Sequence, residues 1–515
     1  MTGQSDRSAA VEYIHGCYRE LAPSIMQLAL LSQRQKARIS APLRYLELGF
    51  GQGLSLNIHA AGTPGEYWGT DANPAHVANA QEMAAASGAD AHFFNQSFAD
   101  FAARDDLPEF DVIAFHGVWS WIADEDRKAV IDILERRLAV GGLCYLSYNA
   151  VPGWSTFMPL RHLMTLHSDL MAPQGQEVGA TIDGALNFAQ TLADAGLLYF
   201  RANPAAAERV KQLRDQAKNY LAHEFLAADW TPMAFSEVAR WMDGARLSFG
   251  ASAHLLDHID ALNLTVEGQK LINSASHLVM RESLRDYAMN QQFRRDVFVK
   301  GPRSMTLAEQ AECFREMRFA LIVLPKSVRY TVKGTLDEAT LHEAVYRPVV
   351  EALASRDYAA KSAGELFGIV DASGVGFPQL FQALIVLTGM GYVHPAQSSE
   401  VAAAATETAR KLNAYLMERA VHSSEIGVMT SPVTGGAVGL SRFSQLFLRA
   451  RIRATEPSKP EDWAREAWTV VSALGQRLMK DGQPLDTAEE NIAELTIQAE
   501  EFNDLLPLMT ALGIA

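Results

Sequence analysis

Cysteine is scarce in this chain of 515 residues: Cys17, Cys144 and Cys313 lie far apart. Their spacing fits neither a disulfide framework nor a metal site, so no metal is predicted. Long apolar runs are also missing, because stretches such as 319–324 and 383–387 are far too short to span a bilayer. The first residues lack the basic and apolar pattern of a secretory signal. We therefore expect a cytoplasmic protein.

Basic residues are in deficit, with 45 Lys and Arg against 60 Asp and Glu and a net charge of −15. This balance argues against a nucleic-acid partner held by a broad basic surface. The apolar fraction of 48% is that of an ordinary globular protein. The length indicates two to four domains rather than one.

The chain is organised around residues 44–53, with the sequence RYLELGFGQG. A short apolar strand runs into glycines at alternate positions, Gly49, Gly51 and Gly53, and a stretch with helical character follows. A strand, a glycine turn and a helix start form the nucleotide-binding corner of a βαβ unit. The alternative is an ordinary glycine-rich turn in an unrelated α/β fold.

Two carboxylates beside this corner select among ligands. Glu47 lies in the strand just before the first glycine, and Asp71 ends the second strand, 22 residues after Gly49. A pyrophosphate disfavours a nearby negative charge, whereas an amino or sulfonium group is attracted to one. An acid at the end of the second strand suits ribose hydroxyls. The pair predicts S-adenosylmethionine as the cofactor.

Strands and helices alternate over the first 150 residues, which predicts an α/β fold with a Rossmann-like parallel sheet. Two later strand-like segments complete a seven-stranded sheet. The predicted strands are 44–48, 67–70, 90–94, 110–115, 143–148, 246–251 and 296–300, with helices at 74–88 and 124–139 among others.

Polar and aromatic side chains follow the fourth and fifth strands, where parallel sheets bind ligands. His116, Trp119 and Trp121 follow the fourth strand; Asn149 and Trp154 follow the fifth. Together they would form an aromatic pocket beside the cationic sulfur. The alternative for Trp119 and Trp121 is packing against the next helix.

Helical segments flank the sheet on the N-terminal side and interrupt it later. Residues 8–38 predict helices that could lie over the cofactor, with Tyr13 and Tyr18 as either ligand contacts or core residues. Residues 156–228 predict a helical insertion, of the kind used as a lid or dimer interface. It ends in a polar and aromatic group that includes Glu224, which fits catalysis and a surface helix end equally well.

The remaining residues form two further units. Residues 303–400 show a helix–helix–helix–strand order that resembles a winged helix, but the third helix carries few basic residues. Protein binding or a structural role is therefore favoured over DNA binding. Residues 401–515 predict a mainly helical C-terminal domain.

The motifs ELGFGQG at 47–53, HGVWSW at 116–121, YNAVPGW at 148–154 and YLAHEF at 220–225 support a resemblance over the whole chain. The chain resembles class I methyltransferases that carry a methyltransferase regulatory domain, and among them the rickettsial-type lysine methyltransferases of outer-membrane proteins. The family has an aromatic residue at one position of the second motif, and in this chain that residue is Trp119. This is a departure from the usual aromatic and would change the width of the aromatic pocket.

The resemblance implies a cofactor domain at 1–155 and 229–302, a dimerising insertion at 156–228, a middle domain at 303–400 and a C-terminal domain at 401–515. The glycines and Glu47 would hold the methionine part, Asp71 the ribose, and the segment after the third strand the adenine. The predicted cofactor-binding residues are Glu47, Gly49, Gly51, Gln52, Gly53, Asp71, Asn95, Ser97, Phe98 and His116.

The leading hypothesis is methyl transfer from S-adenosylmethionine to a lysine amine of a protein. The resemblance implies an outer-membrane protein before export as the acceptor and a homodimer as the enzyme. The amine must lose its proton, so its pKa has to fall in an apolar pocket or a base has to accept the proton. The predicted catalytic residues are His116, Trp119, Trp121, Asn149, Trp154 and Glu224. The alternatives are methylation of a small molecule or surface sugar, and a non-catalytic protein that binds the cofactor as a sensor.

Overall fold

The computed structural model describes residues 14–39, 41–173, 175–227 and 229–515, so Tyr13 lies outside the described residues. Its centre is a seven-stranded sheet in which we number the strands along the chain. The strands are β1 (Leu43–Leu48), β2 (Gly65–Asp71), β3 (Ala91–Asn95), β4 (Phe110–Phe115), β5 (Leu138–Asn149), β6 (Leu247–Ser252) and β7 (Phe293–Lys300).

The spatial order of this sheet is β3-β2-β1-β4-β5-β7-β6. Neighbours from β3 to β5 are parallel, whereas β7 runs antiparallel to both β5 and β6. Strand β4 is buried at every position, as expected for a central strand covered on both faces. The predicted α/β fold with a seven-stranded Rossmann-like sheet is confirmed.

Strand β5 begins five residues before the predicted start at Leu143. Gly141 and Gly142 indicate a turn in the sequence, but here they lie within the strand, with Gly141 at a φ of +85°. The register between β4 and β5 shifts at this point, as in a bulge. A glycine pair inside a strand therefore marks an irregularity rather than its end.

Helices cover both faces of the sheet. The helix Pro74–Ser87 begins as predicted, with proline in its first turn and the Asn73 side chain accepting from the Ala75 amide. Within 14–39, the α-helix is confined to Pro23–Ser32. The other α-helices of the unit that contains the seven-stranded sheet are Leu54–Gly62, Phe98–Ala102, Asp124–Arg137, Phe235–Asp243, Asp260–Asn263, Val266–Ser274 and Leu278–Met289.

The insertion between β5 and β6 is helical and packs around a core of its own. Leu160, Ile182, Phe200 and Val210 belong to this separate cluster of buried side chains. A separate core makes the insertion a distinct structural unit. Its helices are Met158–Met171, Val178–Asp194, Leu198–Ala202, Pro204–Leu213 and Lys218–Leu226.

The middle unit places its helices around a three-stranded antiparallel sheet formed by Arg318–Leu321, Lys361–Ser362 and Val393–Ala396. Its second α-helix begins at Glu343, after a hairpin closed by Gly334. The helices are Leu307–Glu316, Glu343–Ala354, Ala363–Val370 and Phe377–Gly389, and the hairpin strands are Thr331–Lys333 and Glu338–Thr340.

The C-terminal unit packs its long helix Ser399–His422 against Leu54–Gly62, the helix that follows the glycine loop. Both helices border one continuous core, so this unit supports the cofactor corner from behind. Its other helices are Arg442–Arg453, Pro460–Ala473 and Ala488–Ala511. The short strands are Gln35–Lys36, Arg303–Ser304, Val428–Ser431, Gly436–Gly439, Met479–Lys480 and Gln483–Pro484, and the 3-10 turns are Arg19–Leu21, Trp119–Trp121, Leu255–His258, Pro325–Ser327 and Asp371–Ser373.

No single helix in the described part of the chain has both the length and the apolar character needed to cross a membrane. One pair of segments, Ala363–Ser373 and Phe377–Gly389, satisfies these two criteria jointly, but the pair is bent by 116°. Eight residues of the second segment are buried in the protein core.

Candidate active site

The glycine loop after β1 requires three residues without side chains. Gly49, Gly51 and Gly53 have φ values of +68°, +57° and +74°, which other residues rarely adopt. A Cβ atom on Gly49 would lie 2.7 Å from Val118 and 3.7 Å from Phe98. The loop is therefore closely packed against the segments that follow β3 and β4, which places Phe98 beside the first glycine.

Asp71, at the end of β2, is tied to this loop by a hydrogen bond. Its Oδ2 accepts from the Gly51 amide at 2.9 Å, and its Oδ1 accepts from the Asn73 amide at 2.9 Å. The His76 ring lies 3.2 Å from Oδ1. Sequence reasoning missed His76, although it lies one turn into the helix that starts after Asp71. The carboxylate is thus fixed in orientation beside the loop.

Glu47 is the unsatisfied acid of the site. Its side chain is 4% exposed, and its Oε2 accepts no hydrogen bond from any described residue. Burial, assisted by the charge of Asp71, raises the pKa of Glu47 to about 8. An isolated buried carboxylate is costly, and a cationic ligand group next to it would favour its ionised form.

The other residues predicted to touch the cofactor surround the same corner. Asn95 donates to the Asp71 carbonyl at 3.1 Å. Ser97 caps the helix Phe98–Ala102 by accepting from the Asp100 amide, so its hydroxyl has a structural role. Gln52 is buried, and its carbonyl accepts from Asn79 at 2.8 Å. The structure thus brings these predicted side chains to one edge of the sheet.

His116 lies between two tyrosine rings. It stacks on Tyr18 with ring centroids 3.7 Å apart, and its Nδ1 is 2.8 Å from the Tyr145 hydroxyl. Burial lowers the pKa of His116 to about 4. The charge of Glu20 opposes this shift, and the charge of Arg295 adds to it. The ring is therefore neutral near pH 7 and is a weak base. This opposes the predicted role of His116 as proton acceptor for an ammonium group.

The segment 14–22 lies across the site. The sequence predicts helix here, but the α-helix begins only at Pro23. Ser55, in the helix after the glycine loop, accepts a hydrogen bond from the Tyr18 amide at 3.2 Å. Burial raises the pKa of the neighbouring Cys17 thiol to about 12. Glu20 lies 3.7 Å from Arg295 of β7. These contacts hold the segment against the glycine loop and His116.

Trp119 is a core residue, and its predicted place in the ligand pocket is wrong. It is fully buried and packs on Phe115 and, edge to face, on Trp241. The short turn Trp119–Trp121 directs this ring into the space between the sheet and the helix Phe235–Asp243. The alternative interpretation was packing against the next helix. Arg127 of that helix, Asp124–Arg137, has its guanidinium 5.8 Å from the Trp119 ring, but the ring also packs on Trp241 of the later helix Phe235–Asp243.

Trp121 and Trp154 meet at a third tryptophan that the sequence did not single out. Trp230 lies 6.3 Å from Trp121 and 5.0 Å from Trp154, measured between ring centroids. The guanidinium of Arg161 lies 4.4 Å from the Trp230 centroid and 5.8 Å from that of Trp121. The aromatic cluster of Trp121, Trp154 and Trp230 therefore already binds a cation of the chain itself.

Glu224 lies close to that cation. The Arg161 side chain donates to the Glu224 carbonyl at 2.8 Å and to the Ala227 carbonyl at 3.1 Å. Burial raises the pKa of Glu224 to about 7, against the opposing charges of Arg161 and Arg209. A carboxyl group with this pKa changes its protonation state near neutral pH, as a group that exchanges protons must.

Asn149 ends β5 within the same part of the sheet. Its backbone N–H donates to the Ser120 Oγ at 2.9 Å, and its side-chain Nδ2 has no hydrogen-bond partner among the described residues. The residue is 6% exposed. A buried donor without an acceptor is rare, which makes Asn149 a candidate for binding a ligand atom.

Comparison with known proteins identifies two regions of the chain. Residues 46–142 match a family profile described as a methyltransferase domain. Residues 217–300 match one described as a predicted methyltransferase regulatory domain. The protein sll1526 of Synechocystis, described as uncharacterized, is 34% identical over 519 residues, which cover 100% of both chains. RP789 of Rickettsia prowazekii, also uncharacterized, is 26% identical over 49% of this chain and 45% of its own.

Solved structures share the whole fold. PKMT2 from Rickettsia typhi in complex with AdoHcy superposes with a TM-score of 0.68 at 15% identity, covering 97% of this chain and 100% of that one. A second structure of PKMT2 from Rickettsia typhi gives the same TM-score at 14% identity, with coverages of 98% and 100%. This similarity extends the shared architecture beyond the sheet to the insertion and the two C-terminal units.

Proposed function

This chain belongs to the family of class I S-adenosylmethionine-dependent methyltransferases that carry a methyltransferase regulatory domain, and we propose that it methylates lysine side chains of a protein. S-adenosylmethionine supplies an activated methyl group when it is bound. The protein has to bind this cofactor, orient the acceptor amine and remove one proton from it.

The residues of the glycine corner fit the cofactor. Glu47 offers a buried carboxylate oxygen without a partner, which suits the amino group of the methionine part. The three glycines leave room for close approach of a ligand to the backbone, and Asp71 is held in place for the ribose hydroxyls. Phe98 lies beside Gly49, where an adenine ring could stack.

The observation that carries the lysine proposal is the position of Arg161. A long cationic side chain lies on the faces of Trp121 and Trp230, close to the backbone of Glu224. A lysine side chain has the same combination of an apolar stem and a cationic head. The aromatic cluster therefore has the chemistry to bind such a side chain beside the ends of β4 and β5.

The acceptor amine must become neutral before it attacks the methyl group. Lysine has a reference pKa of about 10.4, so either an apolar surrounding lowers it or a base accepts the proton. Glu224, with a pKa of about 7, is the favoured proton acceptor, because His116 is too weak a base. Asn149, whose side-chain Nδ2 has no partner among the described residues, is the candidate for orienting the acceptor.

The similarity to PKMT2 from Rickettsia typhi over the whole chain supports a shared architecture for this proposal. Whether the acceptor is an outer-membrane protein stays part of the hypothesis, as does a cytoplasmic location. Both follow from the sequence and its resemblance to the rickettsial-type enzymes.

We also propose that the insertion forms a homodimer. Several large apolar side chains of its helices face outward, and the two most exposed on the first helix are Leu170 and Met171, at 71% each. Leu198, on a neighbouring helix of the insertion, is 77% exposed. Apolar surface of this kind is typical of an interface between protein chains. Sedimentation of the wild type and of Leu170→Asp with Leu198→Asp tests this, since the variant should sediment as a monomer.

The function is tested with methyl-labelled S-adenosylmethionine and a lysate of the source cells. Label on lysine residues of a discrete protein, located by mass spectrometry, is expected. Asp71→Ala should abolish labelling, and Asp90→Ala, an exposed acid outside the corner, should not. Label confined to small molecules would contradict the choice of lysine, and cofactor binding without any transfer would favour the sensor hypothesis.

A further inference from the structure

A cleft of about 570 Å³ lies apart from the glycine corner. Its walls are the helix Leu278–Met289, strand β7 and the segment 255–263, and the end of the helix Pro23–Ser32 closes one side. Its volume lies within the usual range of small-molecule sites. Four arginines line it, and we call it the arginine cleft: Arg34, Arg281, Arg285 and Arg294.

The inner wall is a buried network of ion pairs. Arg294 binds Asp286 at 2.6 Å, Asp296 at 2.9 Å and Glu282 at 3.1 Å. The hydroxyl of Tyr148, on β5, donates to Asp296 at 2.9 Å. One guanidinium thus serves three carboxylates, so one positive charge faces three acidic groups in this network.

Asp286 is the acid that this network does not satisfy. Its side chain is 4% exposed, and Oδ2 accepts no hydrogen bond from any residue that the structure describes. Burial raises the pKa of Asp286 to about 7, although Arg294 opposes the shift. A donor nitrogen at the inner end of the cleft would satisfy this oxygen, and a positively charged one would favour its ionised form.

The rim of the cleft carries the opposite charge. Arg34 and Arg281 are exposed, and within the described residues neither forms an ion pair. Arg285 differs, because it already binds Asp260 at 2.6 Å. The guanidinium groups of Arg34 and Arg281 are therefore available to bind a carboxylate of a ligand, since arginine binds carboxylates through paired N–H groups.

We propose that the arginine cleft binds a small zwitterion, an amino acid or a compound with the same charge pattern. Its cationic nitrogen would lie against Asp286 and its carboxylate against Arg34 and Arg281. This site is distinct from the cofactor corner, and the proposal does not depend on which acceptor is methylated.

Strand β7 connects the cleft with the active site. Successive side chains of a strand point to opposite faces. Arg294 and Asp296 line the cleft, whereas Arg295 contacts Glu20 and Phe293 packs on His116. A ligand in the cleft would thus contact the strand that also borders His116.

The test measures binding to the full-length protein by saturation-transfer NMR and calorimetry at constant ionic strength. L-arginine is the probe, and agmatine, which lacks its carboxylate, is the matched comparison. L-arginine should bind at least five-fold more tightly than agmatine. Asp286→Asn should weaken binding of both at least ten-fold. No binding of L-arginine at 10 mM, or equal affinity for the two probes, would overturn the proposal.

A second variant keeps the test decisive if Asp286→Asn does not fold. Arg281 lies on the protein surface, so Arg281→Glu should fold, weaken L-arginine binding at least ten-fold and leave agmatine binding no weaker. Arg246→Ala removes an exposed arginine elsewhere and should change neither affinity. Unchanged L-arginine binding in Arg281→Glu would contradict the proposed orientation.

Discussion

The ring of Tyr18 stacks on His116 with their centroids 3.7 Å apart and their planes at 22°. Tyr18 belongs to the segment before the sheet, and His116 directly follows β4. The stack therefore holds the N-terminal segment over the end of β4 in the candidate active site. Because the two residues are distant in sequence, this contact exists only in the folded chain.

Removing the ring of Tyr18 should open the site to water. We expect Tyr18→Ala to reduce methyl transfer about ten-fold, because the stack shields the reacting groups from solvent. Tyr18→Phe keeps the ring and should retain activity within about three-fold. The rate of label transfer to lysate protein measures both, and an equal loss in the two variants would assign the effect to the hydroxyl group instead.

Cofactor binding should depend on pH through Glu47. Its folded pKa of about 8 lies above the ordinary value of 4.5, so the ligand-free protein holds a proton at pH 7. A bound ammonium group favours the ionised form, so affinity for S-adenosylhomocysteine should rise from pH 6 to pH 8, by up to about ten-fold per pH unit, with release of a proton. Calorimetry in buffers of different ionisation enthalpy measures this release.

Glu47→Gln should abolish that pH dependence and weaken binding at pH 8 at least ten-fold. Glu66→Gln, on β2, is the control and should do neither. For stability the sign is opposite: the free energy of unfolding of the wild type should fall as pH rises from about 4.5 to about 8, because the folded state binds the proton more tightly than the unfolded state. Denaturant titrations of the Gln variant should show a smaller fall, because Glu224 and Asp286 keep their own raised pKa values.

Gly53 and Gly88 provide a matched pair of glycines. Their φ values are +74° and +69°, but a Cβ on Gly53 would lie 2.5 Å from that of Ala80, whereas one on Gly88 meets nothing within 4 Å. Gly88→Ala should cost about 1 kcal/mol of unfolding free energy from backbone strain alone. Gly53→Ala should cost about 2–4 kcal/mol and also impair cofactor binding. Similar losses in chemical denaturation would show that the contact with Ala80 is unimportant.

Trp119 and Trp154 should respond differently to substitution. Trp119→Ala removes a fully buried ring and should lower the free energy of unfolding by about 3–5 kcal/mol. Trp154→Ala should reduce turnover far more than cofactor affinity, since Trp154 belongs to the aromatic cluster. Thermal unfolding, calorimetry and label transfer separate the two effects, and equal losses of turnover and affinity in Trp154→Ala would contradict its role.

Glu224 should set the acidic limb of the pH–rate profile. Its pKa of about 7 means that it is ionised, and able to accept a proton, only above neutral pH. Activity should therefore rise about ten-fold per unit up to pH 7, and Glu224→Gln should lose both activity and this limb. Glu208→Gln, an exposed acid of the same insertion, should keep the wild-type profile.

The sequence by itself determined the cofactor corner, because a strand, a glycine loop and the next helix are neighbours along the chain. Glu47 and the three glycines are specified within seven residues, and Asp71 follows from the next strand. The seven-stranded α/β sheet could be predicted as well, since strands and helices alternate along the chain, but the place of the antiparallel strand β7 between β5 and β6 could not.

Only the tertiary structure decided which aromatic rings border the site. Trp119 became a core residue because Trp241, more than a hundred residues later, covers it. Arg161 of the insertion and Trp230 just after it joined Trp121 only in the folded chain, and Tyr18 reached His116 from the segment before the sheet. Such contacts depend on packing between distant segments, and local patterns carry no information about the partner that a side chain finds there.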